Sequence, residues 1–374
     1  MGVKQSKPSD QLGGGMSKEE KQKYDWDVER YQKKREMLSN LPRNYAVEQC
    51  RTSDAAQVFS NRRPNTLDFS NVRVPSAMSK GLTKGEDNTE YYDSETTIQE
   101  KAAEVARLLI SSRHCVVYTG AGISTTAGMP DFRGPEGAWT KQDQGIYEYS
   151  NVQLNEIVPT LAHMAVAKLV EVGLVKFVVT TNMDCLHLKS GVPHDRIVEL
   201  HGNSFKQRCT VCKHVEHLHE EIYNSPVSRC KQSGCTGLYV DSIVNFAEPI
   251  DDDDWRVAKE QSERCDLSIV LGTSMRVLPA CLLCEMGPIA TGGKMVLCNL
   301  QITPYDDNST PRPFCTTDEF MYYLMKELNI EIPMVTQKGQ PIKQTIFPIE
   351  KKSYWKQSSE IDQANYDKGF SFLF

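Results

Sequence analysis

Four cysteines fall into two close pairs, Cys209 with Cys212 and Cys230 with Cys235, separated by a spacer from Lys213 to Arg229. Zinc takes four soft ligands in a tetrahedron, and two hairpin knuckles supply two thiolates each. The spacing predicts a structural zinc ion with no position left open for a catalytic water. His214, His217 and His219 stand nearby and could replace a thiolate, but a solvated face accounts for them better. Cys281 and Cys284 repeat the spacing without a second pair, in an apolar and helix-like stretch, and read as core.

A second constellation is the turn Gly120-Ala121-Gly122, which leaves the apolar run CVVYT. Small residues there let backbone N–H groups approach a phosphate, and a following helix N-terminus adds a favourable dipole. The turn alone does not say whether a dinucleotide would carry hydride or be broken. Hydride-transfer enzymes of this type place an acidic residue about 20 positions on, at a second strand end, to hold the ribose. Here that stretch reads GPEGAWTKQDQG, and neither Glu136 nor Asp143 looks like a strand end. A further small-residue turn, Gly272-Thr273-Ser274, follows another apolar run. Asn299 ends the next one, placed to serve ribose hydroxyls without charge.

Eight histidines compete for the role of base. His201 lies where the strand-like IVEL runs into a glycine turn, just before the cysteine module. A near-neutral pKa there suits a general base. Position favours it over His187, which follows Asn182 and Asp184; His163 faces a helix and reads as core.

These groups need a frame. TIQEKAAEVARLLISS carries apolar residues at helical spacing, as does PTLAHMAVAKLVEVG. CVVYT, KFVVTT, DLSIVLGTS and KMVLCNL are short buried-type strands, and TTDEFMYYLMKELN is a closing helix. Alternating strands and helices predict an α/β fold, a Rossmann-like parallel-sheet domain with a smaller inserted zinc-binding module over about residues 205–240. The ordered part is expected to begin near Ser94. Residues 1–93 form an N-terminal extension, with a charged helix from Ser17 to Asn40 and a linker over 41–93; residues 94–333 form the domain and 334–374 a polar tail.

The 374 residues are 39% hydrophobic with mean hydropathy −0.47, as expected of a normal core with polar ends. A net charge of −6 offers no global basic field for nucleic acid, and no sequence-specific nucleic-acid motif is visible. Twelve scattered cysteines without a secretory signal point to a reducing, intracellular compartment. No run reaches transmembrane length. The start, MGVKQSK, fits an N-myristoylation pattern with Gly2 as acceptor. One such chain binds membranes weakly, and Lys4 and Lys7 are a thin second signal. The run Lys33–Arg35 reads as surface rather than as a nuclear signal.

Taken in order, GAGISTTAGMPDFRGPEGAW, NMDCLH, ELHGN, the four-cysteine knuckle, GTSMRVLP and NLQITPYDD resemble the sirtuins, NAD-dependent protein-lysine deacylases. DFRGPEGAWT, PTLAHMAV, DSIVNFAE and NLQITPYDD resemble the branch that holds animal sirtuins six and seven, which act on chromatin. The likeness runs from about Ser94 to Pro333.

It implies NAD bound between the Rossmann-like domain and the zinc module. Gly120, Ala121, Gly122, Ser124 and Thr125 would contact it, with Asp131, Phe132 and Arg133 on a loop over the nicotinamide ribose and Trp139 in the same pocket. Thr181, Asn182 and Asp184 would hold the nicotinamide end, and Gly272, Thr273, Ser274, Asn299, Leu300 and Gln301 the adenosine half. His201 matches the family's base, with Asn182 and Asp184 as its catalytic companions. Val244, Asn245, Phe246, Ala247 and Glu248 match the strand that pairs with the substrate peptide by β-augmentation. The implied partner is an acyl-lysine protein, histones included, and the implied location is the nucleus. Myristoylation of Gly2 would instead favour cytoplasmic membranes.

The implied chemistry has the acyl oxygen attack the ribose carbon as nicotinamide leaves, with His201 deprotonating a ribose hydroxyl and the Phe132 loop keeping out water. Free lysine and O-acyl-ADP-ribose result. Three positions depart from the family: Thr181 stands for Gln, Cys185 for Gly and Ala247 for Gly. The rival readings are a mono-ADP-ribosyltransferase at the same site, a weakly active NAD-binding chromatin scaffold and, weakest, a dehydrogenase.

Overall fold

A computed structural model describes residues 88–143, 154–222, 228–244, 249–337, 340–342 and 351–361. The Gly2 motif, the charged helix from Ser17 to Asn40 and Lys33–Arg35 lie outside the described residues.

In chain order the strands are β1 (Tyr91–Tyr92), β2 (Cys115–Thr119), β3 (Val175–Thr180), β4 (Ile197–Glu199), β5 (Lys206–Cys209), β6 (Val215–His217), β7 (Tyr239–Asp241), β8 (Leu267–Leu271), β9 (Lys294–Cys298), β10 (Val335–Gln337), β11 (Gln340–Ile342) and β12 (Lys356–Gln357). The helices are α1 (Glu95–Ser111), α2 (Ala138–Asp143), α3 (Leu161–Glu171), α4 (Leu186–Lys189), α5 (Asp252–Glu263), α6 (Leu283–Thr291) and α7 (Thr317–Glu327).

Five strands form an all-parallel sheet in the order β4-β3-β2-β8-β9. Its central strands are apolar along their whole length because helices cover both faces. CVVYT in β2 and LSIVL in β8 are buried at every position. Alternate residues serve opposite cores, as the period of two requires. Val117, Val178, Ile269 and Val296 meet Ile98, Val105 and Leu109 of α1, Ala165 and Leu169 of α3, and Phe320 and Leu324 of α7. Val116, Val179, Val270 and Leu297 meet Ala258 of α5 and Leu283 and Cys284 of α6. Each fully buried Val, Leu, Ile or Phe contributes roughly 1.5–3 kcal/mol. Side-chain oxygens cap four of these helices: Ser94 accepts from the Thr97 N–H, Thr160 from His163, Asp251 from Asp253 and Asp254, and Thr316 from Glu319.

The predicted boundaries need two corrections. Residues 88–93 belong to the domain and not to a linker. Tyr91 and Tyr92 are 1% exposed, and the Tyr91 N–H donates to the Leu300 carbonyl at 2.8 Å. The tail is also not wholly apart, because β12 pairs in parallel with β1.

The chain leaves the sheet after β4 to build the zinc module and returns before α5. Entry and exit are held together at Gly202, where φ is +78° and a Cβ would lie 2.0 Å from the Ser242 carbonyl oxygen. Only glycine fits there. Strands β6-β5-β7 make a small antiparallel sheet. The Sγ atoms of Cys209, Cys212, Cys230 and Cys235 all lie within 4.8 Å of one another. The pairs Cys209–Cys235 and Cys212–Cys230 are 3.6 and 3.5 Å apart. A tetrahedron with metal–sulfur bonds of ~2.3 Å has edges of about 3.8 Å, so the cluster fits zinc. Backbone N–H groups of Val211, Gln232 and Gly237 donate to Cys209, Cys230 and Cys235, which stabilises thiolate and orients the ligands. With all four positions protein-bound, the zinc is structural.

Among the described residues the module's apolar core amounts to little more than the ligands and Tyr239. Zinc binding therefore supplies much of its folding energy. Stripping zinc with a strong chelator, or replacing Cys212 with Ser, is expected to unfold residues 205–241 while the parallel sheet persists. Hydrogen exchange resolved by peptide checks this; unchanged protection of the module without zinc would contradict it.

Candidate functional site

The sheet changes direction of winding at its centre. From β2 the chain crosses to β3 on one side, and β8 later adds on the other. Helices diverge at such a point and leave a crevice beyond the carboxyl ends of the two strands. In-register pairing of Thr119 with Leu271 brings the turn after each strand to the same level. The Gly122 N–H donates to the Gly272 carbonyl at 2.8 Å, and the Gly120 N–H to the Leu271 carbonyl at 3.2 Å. Gly272 adopts φ +61°, and a Cβ on it would lie 2.5 Å from the Gly122 carbonyl carbon. The turns touch backbone to backbone and open a cradle of small residues at the crevice floor.

A cavity of ≈ 260 Å³ fills the crevice. Gly120, Ala121, Gly122, Asp131, Phe132, Arg133, Thr181, Asn182, His201, Val244, Gly272, Thr273, Ser274, Asn299 and Gln301 line it. A second cavity of ≈ 690 Å³ shares Gly122, Asp131, Gly272, Asn299 and Gln301 with the first and adds Thr125 and Leu300. Most of the predicted residues therefore line one or both of two adjoining cavities. The first cavity also has an apolar wall of Val179, Leu200, Ile243, Met275, Val277 and Cys281. The motif GTSMRVLP contained part of that wall, but nothing in its composition separated lining from core.

Two predicted residues, Ser124 and Asp184, line neither cavity. They are buried behind Asn182, whose Nδ2 donates to the Gly120 carbonyl at 3.1 Å, to Ser124 Oγ at 3.2 Å and to Asp184 Oδ2 at 3.2 Å. Ser124 Oγ in turn donates to the same Asp184 oxygen at 2.7 Å, and the Leu186 N–H donates to the other. Ser124 and Asp184 thus fix the Asn182 amide from behind, and of the three only Asn182 lines the first cavity. The Trp139 side chain and Asn245, Phe246, Ala247 and Glu248 lie outside the described residues. Beside that segment, the Val244 N–H donates to the His201 carbonyl at 3.0 Å.

His201 lines the first cavity, with its Nε2 buried and without a hydrogen-bond partner in the protein. Burial pushes the ring down to about 4; a hydrogen bond with the Thr181 backbone opposes this, and the Arg133 charge adds to it. The near-neutral expectation is thus corrected: burial favours the neutral imidazole at physiological pH, and its Nε2 has no partner within the protein. His187 is settled as core. Its Nε2 lies 2.8 Å from Thr119 Oγ1, and its ring meets His163 edge to face at 4.7 Å.

The loop Asp131–Gly137 forms the outer wall. Its turn is closed by the Gly134 N–H donating to Asp131 Oδ1 at 3.1 Å. Arg133 Nη1 reaches Ser274 Oγ at 3.3 Å, and Gln301 Nε2 donates to the Arg133 carbonyl at 3.2 Å, so the loop is tied to the β8 and β9 ends. Phe132 lines the cavity and is 38% exposed. Of the departures, Thr181 spends its hydroxyl on the Thr119 carbonyl at 3.3 Å. Cys185 adopts φ +66°, so the Gly it replaces would have been unstrained where Cys costs about 1–2 kcal/mol.

The cleft fits a dinucleotide: a backbone cradle for phosphates, a fixed amide, an unpartnered buried imidazole nitrogen and the uncharged polar Asn299 in both cavity walls. Residues 146–279 match the Sir2 family. The chain is 36% identical over 267 residues to the NAD-dependent protein deacetylase Sirt6 of Drosophila melanogaster, covering 68% of this chain and 84% of that one. Against the NAD-dependent protein deacetylase SRT1 of Oryza sativa subsp. indica it is 38% identical over 250 residues, 65% of this chain, and spans about half of that relative, 51%. A solved Sir2 structure with a deacetylated p53 peptide and 3′-O-acetyl ADP-ribose shares 36% identity, with a TM-score of 0.50 over 62% of this chain and all of that one. On its sequence, its fold and its cleft, the chain belongs to the Sir2 family.

Proposed function

We propose that the protein is an NAD-dependent protein-lysine deacylase that releases nicotinamide and O-acyl-ADP-ribose. The observation that carries this is His201: an imidazole in the wall of a cleft that fits a dinucleotide, with its Nε2 buried and without a partner in the protein. NAD, when bound, supplies an electrophilic ribose carbon and nicotinamide as the leaving group. Asn182, held by Gly120, Ser124 and Asp184, orients the nicotinamide end. His201 takes a proton at Nε2 from a ribose hydroxyl, and its suppressed pKa keeps it in the basic form beforehand. The loop at Phe132 and Arg133 excludes water, which would otherwise compete with the acyl group. The Val244 edge beside His201 is where a substrate backbone would pair.

Histone acyl-lysine is the substrate class we favour, on the resemblance of DFRGPEGAWT, PTLAHMAV, DSIVNFAE and NLQITPYDD to the branch that acts on chromatin, and with it a nuclear site of action. Gly2 myristoylation would add a reversible membrane-bound pool. Mass spectrometry of the N-terminal peptide from the native host is expected to show the myristoyl mass; an unmodified or merely acetylated terminus removes that pool from the account.

The activity itself is tested with an acetyl-lysine histone peptide, with and without NAD, followed by mass spectrometry. Acetyl loss that requires NAD, with O-acetyl-ADP-ribose formed, is expected, and His201→Ala should lower the rate by about 10²–10⁴-fold. A peptide that gains ADP-ribose would favour the transferase instead. With His201 held neutral down to about 4, kcat/KM should show no acid limb from this group near the ordinary value of about 6.5. A limb there that His201→Ala abolishes would place the imidazole in water.

A further inference from the structure

The C-terminal segment 351–361 docks beside the cleft through several independent contacts. Trp355 stacks on Tyr92 with ring centroids 5.1 Å apart and planes 11° from parallel, and its Nε1 donates to Glu90. The Lys356 N–H donates to the Glu90 carbonyl at 3.0 Å, and Lys351 sits 4.1 Å over the Tyr92 ring. The segment it docks on, 88–93, is itself bound to the cofactor-facing strand end: Glu90 bridges to Gln301, and Gln301 Nε2 donates to the Asn88 carbonyl at 2.9 Å. The strap and the cleft are thus one structure.

Docking makes Lys352 and Tyr354 part of the wall of the larger cavity, which they share with Gly122, Gly272 and Asn299. That cavity has a charge problem. Glu90, Asp131, Glu136 and Asp318 line it with carboxylates. The diphosphate of a dinucleotide brings two more negative charges, and backbone N–H dipoles offset them only in part. Among the described residues lining this cavity, Lys141 and Lys352 carry the positive charge. Lys352 pairs with Glu136 at 3.0 Å, but both are solvent-exposed, 44% and 65%, so the pair is weak and its ammonium can be shared or redirected.

We propose that Lys352 is a cofactor-binding residue: carried to the cleft by the C-terminal strap, its ammonium neutralises the diphosphate of the bound dinucleotide. This rests on the reading of the cleft as an NAD site. It gives the strap a task within the active site and makes the chain beyond the sheet domain a determinant of NAD affinity.

Calorimetric titration of NAD into the full chain tests it. Lys352→Ala is expected to raise the Kd by about three- to ten-fold, and Lys352→Glu by more, with a flatter dependence on salt. ADP-ribose should lose affinity by the same factor, whereas adenosine, which lacks the diphosphate, should not. Glu136→Gln, which frees the ammonium, should leave NAD binding equal or tighter, and Trp355→Ala, which releases the strap, should reproduce the Lys352 loss. The proposal is overturned if Lys352→Glu binds NAD as the native chain does or more tightly. It is also overturned if Glu136→Gln weakens binding as much as Lys352→Ala, because Lys352 would then act only by holding the loop. If the native chain binds no NAD at all, the proposed function fails and this inference with it; if it binds and the variants match it, only this inference fails.

Discussion

Two backbones meet without side chains between them at the carboxyl ends of β2 and β8. The Gly122 N–H and the Gly272 carbonyl bond at 2.8 Å, and a methyl group on Gly272 would sit 2.5 Å from the Gly122 carbonyl carbon. That contact sets the depth of the crevice. It aims the 120–125 turn across the strand ends, leaves room for phosphate and fixes Gly120, whose carbonyl accepts from Asn182. The amide network, the loop anchored on Ser274 and the cavity-lining Asn299 all lie around it. Helices on both faces then hold the two strands in register, so the crevice depends on a core that never touches the ligand.

The chemistry follows from how differently buried polar groups are treated. Asp184 and Ser124 have their hydrogen bonds satisfied and serve to make Asn182 rigid. His187 and His163 are packed away with their rings against each other. His201 alone among these three histidines combines a buried, unpartnered nitrogen with a place in the cavity wall. An unmet hydrogen-bonding atom in a buried site costs stability, and such a cost persists where a ligand repays it. The zinc module contributes by geometry. Its entry at Gly202 and its exit at Ser242 press together, which holds His201 and Val244 side by side at the cleft.

Much of this was legible in the sequence, for physical reasons. Parallel strands buried on both faces must be continuous apolar runs, so CVVYT and DLSIVLGTS announced themselves. Four thiolates at knuckle spacing have few other uses. Small residues just after such strands marked the cradle, and the glycine turn after IVEL marked His201. What stayed hidden depends on tertiary contact. Asp184 looks like a ligand-facing carboxylate in NMDCLH, and only the folded chain shows its bonds to Ser124 and Asn182. The boundary near Ser94 was drawn too late, although EYY held two aromatic residues that a linker would not need to bury. Lys352 lies in a polar tail without periodicity, and no local pattern connects it to Gly122, Gly272 and Gln301, some 50 to 230 residues earlier in the chain. Trp355 was the available signal, because an indole in a charged stretch needs a partner for its ring and its N–H.

The central claim is that the contact between the two glycine turns creates the dinucleotide site. The most direct measurement is NAD affinity, by calorimetry, for Gly272→Ala in the full chain, with zinc content and circular dichroism as controls on folding. The account predicts at least about a ten-fold loss of NAD affinity, since the added methyl must push the 120–125 turn out of the cradle, with zinc content and secondary structure retained. A folded Gly272→Ala protein that binds NAD as tightly as the native chain would contradict it.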